Sequence, residues 1–432
     1  MERHMTTPLR LGVAGLGTVG SGVIGILQRH GDLLAARARR PIEITAVCAR
    51  DRARDRAVRL EGYEWEESPA ALAGREDVDV LLELIGGVDG PAKAAVETAI
   101  SSGRDVVTAN KAMLAHHGQI LAETAEAAGV ALRFEAAVAG GIPVVKTLTE
   151  GLAGNRVIRV MGVMNGTCNY ILTRMQGAGL TYEEAFSEAD GLGYLEADPN
   201  LDVGGIDAGH KLALLSAIAF GARVDFDGVE VEGISRITIE DIRQSADMGF
   251  RIKLLGVARI TERGLEQRMS PCLVPADSPL GQLEDGTNMV VLEGDSVGQI
   301  VLRGAGAGSG PTASAVVSDI VDLARGVRVP TFGRPANSLK KIPRSKSAST
   351  ARYYVRMQLQ DRPGALAKVA GVLGDASISI DRMRQYRHDT ATAPVIFVTH
   401  RTNQEDLETA LSGIETTDVI EGKPIAIRIE EV

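Results

Sequence analysis

The chain has 432 residues, 44% of them hydrophobic and 24% charged, which is enough for two to four domains with cores of their own. Its net charge of −9 argues against a nucleic-acid partner or an anionic membrane surface, and no uninterrupted apolar run is long enough to cross a bilayer. Three widely spaced cysteines, Cys48, Cys168 and Cys272, form neither a zinc motif nor a disulfide framework, and no charged-then-apolar leader opens the chain, so a reducing cytoplasm is expected.

Leu11 to Ala14 reads as a buried strand running into Gly15-Leu-Gly17-Thr-Val-Gly20, with an apolar helix pattern at Val19, Val23, Ile26 and Leu27. This is G-x-G-x-x-G in the strand–turn–helix setting it requires. Gly15 is assigned the tight turn, Gly17 the close approach of a pyrophosphate, and Gly20 the packing of helix on strand. The helix start then offers unpaired N–H groups to the anion. The second strand, Ile42 to Cys48, ends at Arg50-Asp51. An arginine there pairs with a 2′-phosphate and favours NADP, whereas the neighbouring acid keeps NAD open. Two further strands end at Gly86-Gly87 and at Asn110-Lys111. Ligands of open α/β sheets sit beyond such strand ends, which places Lys111 near a nicotinamide or its substrate.

The middle of the chain begins with a strand from Leu132 that is expected to run through Glu135 into the turn Gly140-Gly141-Ile142-Pro143. Carbonyl oxygens in a tight glycine turn, with Glu135 added, suit a hard cation. A β-rich run over Val157 to Met164 ends in Asn165-Gly-Thr167. The most informative stretch follows: Gly191 to Lys211 carries Glu196, Asp198, Asp202 and Asp207 ahead of an apolar helix. Asp207 and Lys211 are four apart, so a helix sets them on one face. A lysine among carboxylates beside a nucleotide domain is a candidate acid/base. The helix dipole opposes its charge and the acids support it.

A second glycine run, Gly304 to Gly310, lacks the Gly-Lys-Ser/Thr of a P-loop and leads into a helix from Ala315. Its backbone can approach a cofactor closely. Gly333 to Arg352 has no acids and reads as a linker or exposed strap. The remaining segments read β-α-β-β-α-β, an independent ferredoxin-like unit opening at Tyr353 with a turn at Asp361-Arg-Pro-Gly364.

Gly15-Leu-Gly-Thr-Val-Gly20, Thr108-Ala-Asn-Lys111, Asn165-Gly-Thr167, the block from Gly193-Tyr-Leu-Glu196 to Asp207-Ala-Gly-His-Lys211, Gly304-Ala-Gly-Ala-Gly308 and Asp361-Arg-Pro-Gly364 together resemble the long bacterial homoserine dehydrogenases with a C-terminal ACT domain. The block ending at Lys211 is the most specific of these. The resemblance implies an α/β chain with a Rossmann domain over 1–135, an α+β substrate and dimerisation domain over 136–332 whose segment 303–332 returns to the nucleotide domain, a linker over 333–351 and a regulatory ACT domain over 352–432. It implies reversible reduction of L-aspartate 4-semialdehyde to L-homoserine with NADPH or NADH, in threonine, methionine and isoleucine biosynthesis.

Carried over by position, Lys211 is the proton donor and acceptor, Asp202 a catalytic-site acid, and Lys111 a lysine between cofactor and substrate. Glu196, Asp207 and Thr167 fall on substrate positions, and Thr18, Val19, Arg50 and Gly308 on cofactor contacts beside the three motif glycines. Glu135 with the carbonyls of Val138, Gly140 and Ile142 matches a sodium site. Leu201 stands where some members carry a second Asp and is assigned no role. Threonine is the expected effector around Asp361 and Gly364, and a homo-oligomer, dimer or tetramer, the expected assembly. Two rivals stand beside this reading. One is an aspartate-semialdehyde dehydrogenase, which needs a thiol such as Cys168; the other is a non-catalytic amino-acid sensor.

Overall fold

The computed structural model describes residues 7–195, 198–345, 349–386 and 391–431. Six short strands build the first sheet: β1 (Leu9–Ala14), β2 (Ile42–Cys48), β3 (Glu64–Trp65), β4 (Val80–Glu83), β5 (Asp105–Thr108) and β6 (Leu132–Arg133). All pair in parallel, in the order β3-β2-β1-β4-β5-β6. Strands covered on both faces must be apolar throughout, and Val80, Leu81 and Leu82 are fully buried. The strand order reverses between β1 and β4, which opens a crevice at their carboxyl ends. The helix Ser309–Ala324 returns to this domain and packs on the helix Thr18–Ala38, so that Val316 and Ile320 share a core with Leu11, Val23 and Ile24.

A second sheet carries β7 (Val157–Val163), β8 (Glu230–Val231), β9 (Phe250–Thr261), β10 (Gly264–Pro275), β11 (Thr287–Gly294) and β12 (Gly298–Ala305). The C-terminal unit adds β13 (Arg352–Gln360), β14 (Ile380–Gln385), β15 (Thr392–Thr399) and β16 (Ile420–Ile429). Their order is β12-β11-β7-β9-β10-β16-β13-β15-β14, with β8 beside β10. The helix Ile206–Phe220 is apolar nearly all round and accordingly buried along almost its whole length.

Three expectations are corrected. The C-terminal unit has its own core around Val355, Phe397 and Leu407 and the ferredoxin-like strand order, but it is not independent. β16 pairs in parallel with β10 at Cys272–Arg428 and Leu273–Ile429, and Glu430 accepts from buried Arg268 (2.6 Å) and Arg428 (2.7 Å). Pairing of two strands some 150 residues apart leaves no local pattern to read. The strap before it is not simply exposed either, since Ala336 and Leu339 are buried and Arg344 pairs with Asp225 at 2.6 Å. The strand from Leu132 stops at Arg133, and Glu135–Ala139 is helical. There the Glu135 N–H donates to Asp319, and its carboxylate accepts the N–H groups of Val145 and Lys146 (2.9 and 2.8 Å).

Candidate active site

The crevice is a cleft of about 550 Å³, walled by the glycine-rich turn on one side and the start of the helix Ile206–Phe220 on the other. Gly15 holds φ +100°, and a Cβ there would press on the Leu84 carbonyl oxygen at 2.5 Å. A Cβ on Gly20 would run into the Gly15 carbonyl, whereas one on Gly17 would meet nothing within 4 Å. Two glycines are thus demanded by packing, and Gly17 faces open space that a ligand can enter. The helix Thr18–Ala38 has no side-chain cap at its start, which leaves its first N–H groups for an anion. Thr18 and Val19 line the cleft together with Gly306, Ala307 and Gly308 of the second glycine run. Ser309 Oγ donates to the Thr18 carbonyl at 2.9 Å and locks the two runs together.

Lys211 is 7% exposed and faces this cleft. Its ammonium donates to Asp207 Oδ2 at 2.6 Å and to the Met164 carbonyl at 2.9 Å. The other Asp207 oxygen meets Lys111 Nζ at 2.7 Å. Burial opposes ionisation of Asp207, but the two lysines outweigh it and hold its carboxyl well below the ordinary range. Lys111 opens the helix Lys111–Ala127, where Asn110 Oδ1 caps the Met113 N–H at 3.1 Å. A cation is disfavoured at a helix start, and here Asp207 offsets that cost.

The four acids predicted to converge on Lys211 do not all do so. Asp207 makes the direct pair, Asp198 caps the Asn200 N–H, and Asp202 accepts from Asn165 Nδ2 at 2.9 Å. Glu196 lies outside the described residues. Thr167 lines the cleft and donates to the Tyr194 carbonyl at 3.0 Å. Arg50 is exposed just beyond β2. Asp51 spends one oxygen on the N–H groups of Ala53 and Arg54, capping its own turn. Gly140, with φ +57°, borders the cleft, but the Glu135 carboxylate is occupied by the two amides already named. Among the described residues no group of three His, Cys, Asp or Glu is arranged to hold a metal ion. Asp361 and Gly364 form an exposed turn, and Gly364 opens the helix Ala365–Asp375.

Three residues had no assigned role in the sequence. Asn165 both orients Asp202 and caps the helix Gly166–Ala178 through Cys168 N–H at 2.8 Å. Its position directly after a strand and before a helix was the available signal. Arg56 donates from Nε to the Leu16 carbonyl inside the glycine turn at 3.0 Å. Glu83, fully buried, accepts from Thr108 Oγ1 at 2.6 Å and from the N–H groups of Ile85 and Gly86, tying the ends of β4 and β5 together. Cys168 is buried against the Asp202 carbonyl, and burial pushes its thiol well up, which disfavours a thiolate nucleophile.

A dinucleotide fold opening onto a buried, lysine-bearing cleft defines a nicotinamide-dependent oxidoreductase. Comparison with known proteins agrees. Residues 15–135 match the NAD-binding domain of homoserine dehydrogenase, 143–321 the homoserine dehydrogenase domain and 353–415 the ACT domain. A homoserine dehydrogenase of Neisseria gonorrhoeae is 41% identical over 98% of this chain and 99% of its own, and one of Pseudomonas aeruginosa is 40% identical over the same shares. The crystal structure of a homoserine dehydrogenase from Thiobacillus denitrificans superposes with a TM-score of 0.94, at 40% identity and 99% coverage of both chains. The chain belongs to the homoserine dehydrogenase family, NAD(P)-dependent oxidoreductases, and carries the ACT domain.

Proposed function

We propose that the cleft interconverts L-homoserine and L-aspartate 4-semialdehyde, with Lys211 carrying the proton at the substrate oxygen. The observation that supports this most directly is Asp207 bridging Lys111 and Lys211 on the wall facing the glycine turn. A bound nicotinamide would supply the hydride transfer between its C4 and the substrate carbon. Of the three N–H groups on Lys211, two are held by Asp207 and Met164, which leaves one for a substrate oxygen. Asp207 fixes that ammonium in place, and Asp202, oriented by Asn165, adds negative charge to the same wall. The substrate's α-ammonium is read by Asp207, with Glu196 as its second acid. Thr167 and Lys111 complete the substrate side of the cleft.

NADP is the preferred cofactor in this reading. Asp51 is turned to its own backbone, which leaves the exposed Arg50 just beyond β2 as the group to meet a 2′-phosphate. A sodium ion at the Gly140 turn would be held by Glu135 with the main-chain carbonyls of Val138, Gly140 and Ile142. Threonine, acting at the ACT turn around Asp361 and Gly364, is the effector, in a cytoplasmic homo-oligomer serving threonine, methionine and isoleucine synthesis. The test is homoserine oxidation with NADP⁺, followed at 340 nm without phosphate. No absorbance rise in wild type, or wild-type turnover in Lys211→Ala, overturns the assignment.

A further inference from the structure

Asn288 lies near the start of β11 and is 2% exposed, and its Oδ1 has no hydrogen-bond partner among the described residues. A buried carboxamide oxygen without a donor is costly, so a native fold keeps one where a water or a ligand completes it. Several buried side-chain atoms lack a partner, but among the described residues Asn288 Oδ1 is the one whose residue lines the catalytic cleft. Its place there is fixed from two sides. The residue pairs with Gly304 across β11 and β12. A Cβ on Gly306 would meet Asn288 Nδ2 at 1.9 Å, so the amide occupies the space where a side chain at 306 would stand. On the other side, a Cβ on Gly166 would meet Oδ1 at 3.5 Å.

These two glycines belong to different halves of the cleft. Gly306 is part of the second glycine run, which Ser309 ties to Thr18 at the start of the nucleotide helix. Gly166 follows Asn165, the residue that orients Asp202. Asn288 therefore stands at the seam between the cofactor side and the substrate side. The nicotinamide ring is the part of the cofactor that must reach this seam, because the hydride passes between its C4 and the substrate. The orphaned oxygen needs a donor. The substrate's ammonium has the carboxylate of Asp207 to meet, and a charged donor gains more from a carboxylate than from a neutral amide. The nicotinamide carboxamide is neutral and carries one N–H2 and one carbonyl, the complement of the Asn288 amide. We propose that Asn288 is a cofactor-binding residue that pairs with the nicotinamide carboxamide, Oδ1 accepting from its N–H2 and Nδ2 donating to its carbonyl. The carboxamide is attached to the carbon next to C4, so holding it fixes the orientation in which C4 meets the substrate.

The inference rests on the nicotinamide cofactor of the family and not on the homoserine chemistry proposed above, so it is tested by calorimetry on the full chain without substrate. The probes are NADPH, its reduced 3-acetylpyridine analogue, in which a methyl group replaces the N–H2, and 2′-phospho-ADP-ribose, which lacks the nicotinamide. Wild type should bind the analogue about tenfold more weakly than NADPH. Asn288→Ala should weaken NADPH about tenfold, bind NADPH and the analogue equally, and leave 2′-phospho-ADP-ribose unchanged. If NADH is the tighter cofactor, the same comparison is made with NADH, its acetylpyridine analogue and ADP-ribose. Equal binding of cofactor and analogue by wild type overturns the proposal, and this arm needs no variant to fold. So does Asn288→Ala with cofactor affinity intact, which would mean that a water alone completes the oxygen. Equal weakening of the cofactor and of the fragment without nicotinamide also overturns it, since a merely structural role moves both. The expected binding pattern without homoserine oxidation would sink the assigned reaction and leave the role of Asn288 standing.

Discussion

Two aspartates in this molecule make the same contact in opposite surroundings. Asp207 bridges Lys111 and Lys211 at 2.7 and 2.6 Å, and Asp418 bridges Arg362 and Lys368 at 2.6 Å each. The side chain of Asp207 is 8% exposed and that of Asp418 is 61% exposed. Water competes for every partner of Asp418 and screens its charges, so that triad is a local decoration of the C-terminal unit. At Asp207 the solvent is largely gone, and removing one charge strands the others in a poor dielectric. Distance alone therefore does not separate a working charge cluster from an ordinary surface one; burial does.

The sharpest way to break this contrast is Lys211→Ala. Turnover of homoserine should fall about 10²- to 10⁴-fold while NADPH affinity, measured by fluorescence titration, changes little. Next in size, Asp207→Asn leaves two lysines without their counter-charge and should lower stability by about 3 kcal/mol in denaturant unfolding. Asp418→Asn, its exposed counterpart, should leave the melting temperature unchanged at 0.15 M salt. If both variants lose equal stability, the burial argument fails.

Beyond the end of β2, Arg50→Ala should raise KM for NADPH about tenfold and spare NADH. Equal losses for both cofactors would show that this arginine does not read a 2′-phosphate. The smallest effect is a pH dependence. Burial, with the nearby His116, pulls His210 down to about 4 from its ordinary 6.5. The unfolded chain then binds more protons than the folded one between these values, so stability should fall as pH drops from about 6.5 to about 4. His210→Asn should flatten this dependence. A loss that persists unchanged in that variant would point to other groups.

Much of the nucleotide domain was legible because its signals are local. Strand, glycine turn and helix follow one another within a dozen residues from Leu11, and each glycine has its own steric reason. The Asp207–Lys211 pair was equally legible, since four-residue spacing on a helix suffices. The reach of Lys111 across to Asp207 was not, nor was the turning of Asp202 toward Asn165. Those contacts join segments separated by 96 and 37 residues, and nothing in the intervening chain encodes the distance. The same blindness made the C-terminal unit look independent, because its link to the central sheet is a short parallel pairing with β10.

The amino-acid order by itself determined the local units: where a helix starts, which glycines must lack a side chain, and which charged residues share a face. These follow from sterics and hydrogen bonding over a few neighbouring residues. The tertiary structure alone decided which of those charges lose their water and meet across the cleft. It also decided that the strands of the ACT domain would join the sheet of the central domain. Burial is a property of the packed whole, and a charge acquires its chemistry only when its surroundings are set.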